Sequence, residues 1–182
     1  MRFIALLAAL GGVSVLCAPE TAVAQGLPAQ VADSMNDAAI LGLRAIVDQS
    51  EIETARLAAQ RTSSPKVREF TQSLLRGHSS AQNTAAALAT RLKIERKVPG
   101  DSDSAITTRH RTTMATLRGL HGAAFDHAFL VSVRNEHVAE IAKVHDWYTP
   151  GAQRDSVKAY LVAIMPTLEK HRDTAERLLG GK

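Results

Sequence analysis

The stretch "SSPKVREFTQSLLRGHSSAQNTAAALATRLK", residues 63–93, decides the fold class. Ser64 is a residue type that caps helix N-termini, and Pro65 suits the first helical position. The apolar residues that follow recur at helical spacing and share one face: Val67, Leu74, Ala81, Ala85 and Leu92. This spacing is typical of an amphipathic helix. The stretch therefore predicts a helix from about Pro65 to Lys93 that begins directly after a tight turn.

Three other stretches repeat this pattern, at about 36–61, 123–148 and 156–179, and a shorter one covers about 107–117. Between them, "KVPGDSDSA" (97–105) and "YTPGAQRD" (148–155) have the composition of loops, with Asp155 as the expected cap of the last helix. No sustained two-residue alternation predicts a strand. The sequence thus predicts an all-α, up-down-up-down four-helix bundle with a short extra helix before its third long helix.

The first 24 residues predict a signal peptide, and therefore an exported and most simply periplasmic protein. Arg2 precedes an apolar run that is shorter than the roughly 20 residues of a membrane span. The run is followed by Ala22-Val23-Ala24, a small-x-small cleavage pattern. Cys17 raises the alternative of a lipid anchor, but Leu16 occupies a position that needs a small residue. We expect residues 25–35 to be a flexible segment before a bundle domain at 36–179.

Charge and composition narrow the function classes. Cleavage removes Cys17, the only cysteine, so disulfides, thiolate ligands and a c-type haem are not expected. The 22 basic and 18 acidic residues are interspersed and give a formal net charge of +4, which is typical of a solvated surface. Aromatic residues are few, so we expect no nucleic-acid partner. No further stretch is apolar enough to span a membrane. The composition is compatible with a homo-oligomer and with a monomer.

Each long helix carries one titratable residue near the middle of its apolar stripe. At 100° per residue these are Glu51, His78, His137 and His171. Counted from the predicted turns at 1.5 Å per residue, they lie at similar depths. Three imidazoles and one carboxylate in a bundle core are a ligand set suited to Fe, Zn, Cu or Mn. The sequence therefore predicts a candidate transition-metal site.

Other residues near this set are lesser candidates. Asp126 lies three turns before His137 on the same line, where it suits the N-cap of a later-starting helix as well as a binding role. Glu140 lies one turn after His137, and we expect it to be solvated or to contact a ligand residue rather than to bind the metal. Pro166 precedes His171 by five residues, and its kink would aim that ring inward. No Glu-x-x-His pair is present, which argues against an ordinary carboxylate di-iron centre.

Four blocks, "SEIETARLAAQR", "VREFTQSLLRGHSSAQN", "GAAFDHAFLVSVRNEHVAEI" and "IMPTLEKHRDTAERL", resemble the successive blocks of an exported bacterial family known as domain of unknown function 4142. The resemblance covers about 36–179 and implies a ferritin-like four-helix bundle of undefined role. The family pattern matches Glu51, His78, Asp126, His137 and His171. The chain departs from it at Gly77, where the family usually has Asp, and at Met165.

Two functions follow as expectations. The first is an exported ferritin-like bundle that holds a transition metal for storage, buffering or a stress response. The second is a structural or interaction protein of the cell envelope, in which the inner polar residues bond to one another and fix the helix register. An enzyme needs an open coordination position, which a sequence does not reveal, so binding is favoured over catalysis.

Overall fold

The computed structural model describes residues 35–98 and 102–180, apart from the side chains of 103 and 104. These residues form five helices: α1 (Asp37–Arg61), α2 (Pro65–Leu92), α3 (Ser102–Arg118), α4 (Gly122–Lys143) and α5 (Asp155–Leu179). No strand occurs in the described residues, so the predicted all-α class is confirmed. The predicted signal peptide with Cys17, and residues 25–34 of the predicted flexible segment, lie outside the described part of the chain.

The junction between α1 and α2 forms as the sequence predicts. The Ser64 side chain accepts a hydrogen bond from the Val67 N–H at 3.3 Å, and Pro65 is the first helical residue. At the other end of α2, Lys93 takes the left-handed conformation with φ 52° and closes the helix. Because the turn contains only residues 62–64, α1 and α2 lie side by side.

Two predicted boundaries are wrong. Helix α3 begins at Ser102 and not near Thr107, because Ser and Asp suit the first turn of a helix as well as a loop. Arg154 occupies the N-cap position of helix α5 without a side-chain capping hydrogen bond, and Asp155 is the first helical residue rather than the cap. In the first turn of a helix an acidic side chain such as that of Asp155 interacts favourably with the helix dipole.

The segment before α1 is tied to the α4–α5 connection. Helix α4 continues through a π-helical turn, Val144–Tyr148, and one further turn, Thr149–Gly151. Met35 is buried and lies directly against Gly151, where a Cβ would be 2.7 Å from its Cγ. Asp37 accepts hydrogen bonds from the Gln153 N–H at 2.8 Å and from Arg154 at 2.9 Å. These contacts fix the start of α1 over the start of α5.

The long helices pack as two pairs, α1 with α2 and α4 with α5, and further contacts join α2 to α5 and α1 to α4. Helix α3 packs against α1 and α4. The buried apolar residues form two clusters, one around Ile40 and Leu161 and the other around Leu74 and Phe129. Between these clusters lies a central polar layer, which consists of Arg44, Asp48, Glu51, His78, His137, Glu140 and His171.

Pro166 lies inside α5 without ending it. A proline at this position removes the hydrogen bond to the carbonyl of Val162. Val162 is 67% exposed, so this side of α5 faces solvent and water can replace the lost hydrogen bond. No helix among the described residues is long and apolar enough to cross a membrane.

Candidate metal centre

Three histidines from three different helices meet in the central polar layer. His78 of α2, His137 of α4 and His171 of α5 are 3%, 2% and 1% exposed. Each offers a ring nitrogen, and these nitrogens all lie within 4.8 Å of one another. The three ring centroids are 5.2 to 5.4 Å apart. The structure thus brings together the three imidazoles that the sequence places on separate apolar stripes.

The protonation of the His137 ring follows from its backbone contact. Its Nδ1 lies 2.9 Å from the carbonyl oxygen of Val133, which only accepts hydrogen bonds, so Nδ1 carries the proton. In the neutral ring Nε2 then has a free lone pair. That Nε2 lies 3.3 Å from Nδ1 of His171 and faces the cluster.

His78 is oriented in the same way by a carboxylate. Its Nδ1 donates to Oδ1 of the fully buried Asp48 at 3.0 Å. Its Nε2 is buried and has no hydrogen-bond partner among the described residues. An unpaired buried nitrogen costs free energy, so it calls for a ligand or an ordered water.

The His171 ring lies between His137 and the backbone of α2. Its Nδ1 faces Nε2 of His137, and the ring also hydrogen-bonds to the backbone of Ser73. A neutral imidazole has one N–H and cannot donate to both partners. If the His171 proton bonds to Ser73, then His78, His137 and His171 each keep one lone pair, on ring nitrogens that lie within 4.8 Å of one another.

Burial favours the neutral form of two of the rings, those of His137 and His171. Desolvation, with a further contribution from the charge of His78, lowers the pKa of His137 well below its ordinary value. The same two causes lower the pKa of His171 to about 4. Because only the neutral imidazole binds a metal, both rings are in their ligand form at neutral pH.

The spacing of the nitrogens is close to that of a metal site. Three nitrogens at 2.0–2.1 Å from one tetrahedral ion are about 3.4 Å apart. The pair from His137 and His171 is already at 3.3 Å. The remaining separations reach no more than 4.8 Å, so they exceed the spacing in a tetrahedral site by at most about 1.4 Å.

An ion-pair network lies next to the histidines and was missed in the sequence analysis. Arg44 is fully buried and bridges Asp48 of its own helix and Glu140 of α4, both at 2.5 Å. Lys143 adds a second contact to Glu140 at 3.2 Å. Arg44 lies seven residues before Glu51, about 20° from it on the helix, so the same angular count would have found it. Arg44 was not predicted because only one titratable residue was assigned to each apolar stripe, and on α1 that residue was Glu51.

The other predicted residues lie outside the group of three. Glu51 is 9% exposed and lines a small cavity of about 30 Å³ with Arg109 and Glu136, a volume that holds about one water. Desolvation raises its pKa to about 7, against the opposing charge of His78. Glu140 is held by Arg44 and Lys143, and this pairing lowers its pKa despite the opposing effect of burial.

Asp126 lies far from the histidines, near the α1–α2 turn. It is inside α4, which begins at Gly122, and therefore does not cap that helix. Its Oδ2 accepts a hydrogen bond from the Ser63 hydroxyl at 3.4 Å. Eleven residues separate it from His137, about 16 Å along the helix.

Fold and site define an all-helical protein with a buried cluster of three histidines. The chain belongs to the family described as "Domain of unknown function (DUF4142)", whose model matches residues 22–178. This match confirms the resemblance that the four sequence blocks indicate. No curated protein and no solved structure matches the chain.

Proposed function

We propose that this protein is an exported helical-bundle protein that binds one divalent transition-metal ion through His78, His137 and His171. Its helices would form a ferritin-like four-helix bundle, with the ion in the central polar layer. The role that fits such a centre is storage, buffering or a stress response outside the cytoplasm. The arrangement of the ring nitrogens carries this proposal.

Each ring has an oxygen acceptor behind it: the Asp48 carboxylate, the Val133 carbonyl and the Ser73 backbone. Protein metal sites use such acceptors to fix the tautomer and orientation of their histidine ligands. The inner nitrogens then converge, and that of His78 is buried without a partner. A buried ring nitrogen that has no partner among the described residues and faces two other imidazoles is what a metal site provides for its ion, and this arrangement favours metal binding over a purely structural role.

The donor set limits the choice of ion. Three neutral imidazoles suit Zn, Cu, Fe and Ni better than Mg or Ca, which prefer oxygen ligands. Three protein ligands also leave a position for water or another molecule, as in catalytic zinc sites. The described residues within 4.8 Å of one another supply no thiolate or carboxylate to fill that position.

The test is metal binding by the mature protein, purified without a histidine tag and treated with chelator. Zn²⁺, Cu²⁺, Fe²⁺ and Co²⁺ are offered separately, and bound metal is measured by mass spectrometry after desalting. The visible spectrum of the Co²⁺ form reports the coordination geometry. We expect one equivalent of at least one ion, and His78→Ala, His137→Ala and His171→Ala are each expected to lose it.

A matched control is His127→Ala. His127 lies on α4 like His137, but its side chain is exposed and remote from the cluster. The control is expected to bind as the unmodified protein does. If no ion binds above background, or if His127→Ala loses as much metal as the cluster variants, the metal proposal fails. The structural role, in which the variants lower stability without any metal effect, then stands in its place.

A further inference from the structure

A cleft between α2 and α5 leads from the surface to the histidine cluster. Its volume is about 460 Å³, within the range of pockets that bind small molecules. His78 and His171 line it, so one side of the cluster is reached through this cleft. The Gly77 position forms part of the wall, where a side chain would touch the His171 ring.

A buried hydroxyl in the floor of this cleft has a proton without an acceptor. The side chains of Arg44 and Tyr160 both line the cleft and are 0% and 4% exposed. The Tyr160 hydroxyl accepts from the Arg44 guanidinium, so its own proton has no acceptor among the described residues. A buried donor without an acceptor is rare, and it indicates a polar ligand that accepts a hydrogen bond.

The charges around the cleft have one sign. Arg76 of α2 and Lys170 of α5 are exposed at its rim, on opposite walls. None of the described residues that line it is an Asp or a Glu. The Arg44 charge is balanced by Asp48 and Glu140, so the excess positive charge comes from the rim. A cleft of this kind raises the local concentration of anions and pairs with them.

From these observations we infer that the cleft between α2 and α5 binds a small oxyanion, a phosphate or a carboxylate, beside the three-histidine cluster. The anion contacts Arg76 and Lys170 at the rim and accepts a hydrogen bond from the Tyr160 hydroxyl in the floor. This site goes beyond the proposed metal centre, because its cations and hydroxyl take no part in binding the ion.

The test measures the binding of inorganic phosphate, and in parallel of acetate, to chelator-treated protein by isothermal titration calorimetry at low ionic strength. We expect saturable binding of one equivalent of at least one of the two anions. The double variant Arg76→Ala/Lys170→Ala is expected to weaken it about tenfold or more, because two charge-assisted contacts are lost. Both residues are exposed, so the fold is retained.

The matched control is Arg91→Ala/Lys158→Ala, which removes one exposed cation from each of the same two helices away from the cleft. It is expected to bind the anion as the unmodified protein does. Tyr160→Phe, which removes a single oxygen, is expected to weaken binding several-fold.

Three results would overturn the inference: no saturable binding, an equal loss in the control, or binding only after metal is added. Binding by the metal-free protein supports the inference whatever the metal experiments show. The two proposals therefore fail separately.

Discussion

Replacing Gly77 by alanine probes how tightly His171 is seated. A Cβ at this position would lie 2.7 Å from Cε1 of His171 and 3.0 Å from Cγ2 of Thr167. Carbon atoms pack at about 3.5–4.0 Å, so the ring must retreat by about 1 Å. Its contact with His137, now 3.3 Å, would be lost or weakened.

Two effects on stability oppose each other in Gly77→Ala. Overpacking costs about 1–3 kcal/mol, whereas alanine is favoured over glycine inside a helix by about 1 kcal/mol. We therefore expect the free energy of unfolding to fall by about 0–2 kcal/mol. Displacing a ligand ring is expected to weaken metal affinity about 10- to 100-fold, as the loss of a supporting contact does in known sites. The metal effect should thus exceed the effect on stability.

Urea denaturation of the metal-free protein measures the free energy of unfolding, and competition with a chromophoric chelator measures the affinity for metal. Gly119→Ala is the control, because a Cβ there meets its nearest atom at an ordinary 3.5 Å. An affinity for metal in Gly77→Ala equal to that of the unmodified protein would refute the reasoning, since it would show that His171 does not depend on the space at residue 77.

Three further variants test the central polar layer. Asp48→Asn should weaken metal binding about 10- to 100-fold in chelator competition, whereas Glu53→Gln, in an exposed pair with His110 at the same 3.0 Å, should have no effect. Arg44→Ala removes the cation between two buried carboxylates and should lower the free energy of unfolding in urea by about 3–5 kcal/mol, against less than about 1 kcal/mol for Arg172→Ala, whose partner Asp173 is 56% exposed. Glu51→Gln should stabilise the protein at pH 8 by on the order of 3 kcal/mol and hardly at pH 4.5, measured by urea denaturation at both values. The sign follows because burial raises the folded pKa of Glu51 to about 7, so its stabilising contribution is lost as the pH rises from 4.5 through 7.

These predictions have clear contrary results. Equal losses of metal in Asp48→Asn and Glu53→Gln would show that the buried carboxylate does not orient His78. A small effect of Arg44→Ala, no larger than that of Arg172→Ala, would show that water reaches the layer. A Glu51→Gln difference that does not change with pH would show that this carboxyl is not desolvated in the folded protein.

Helical periodicity was enough to find the three histidines. Each lies at the centre of an apolar stripe, and a regular helix keeps the angle between residues over the required distance. Pro166 does not interrupt that regularity, because α5 continues through it. The bundle order also followed from local signals such as the Ser64–Pro65 junction. Local chemistry decides these features, so a single sequence contains them.

What the sequence did not reveal depends on contacts between helices. From the sequence, Gly77 means that a carboxylate is missing beside His78. In the structure, the absence of a side chain at Gly77 leaves room for the His171 ring. The carboxylate that holds His78 belongs to Asp48, on the neighbouring helix. Glu51 has the right angle and depth, but it lines a separate small cavity on the side of α3. The angular position of a residue on its own helix does not determine which side chains it contacts on the neighbouring helices.

The buried Arg44 has a consequence for assembly. It joins α1 to Glu140 of α4, and a slip of one helical turn, about 5.4 Å, would pull these charges apart in the interior. In such a slipped bundle, buried charges separated from their partners cost several kcal/mol. It would also carry Asp48 away from His78. Correct alignment of α1 and the orientation of His78 are therefore coupled, and under the proposed metal binding the number of ions bound per chain would report how many molecules in a preparation are correctly aligned.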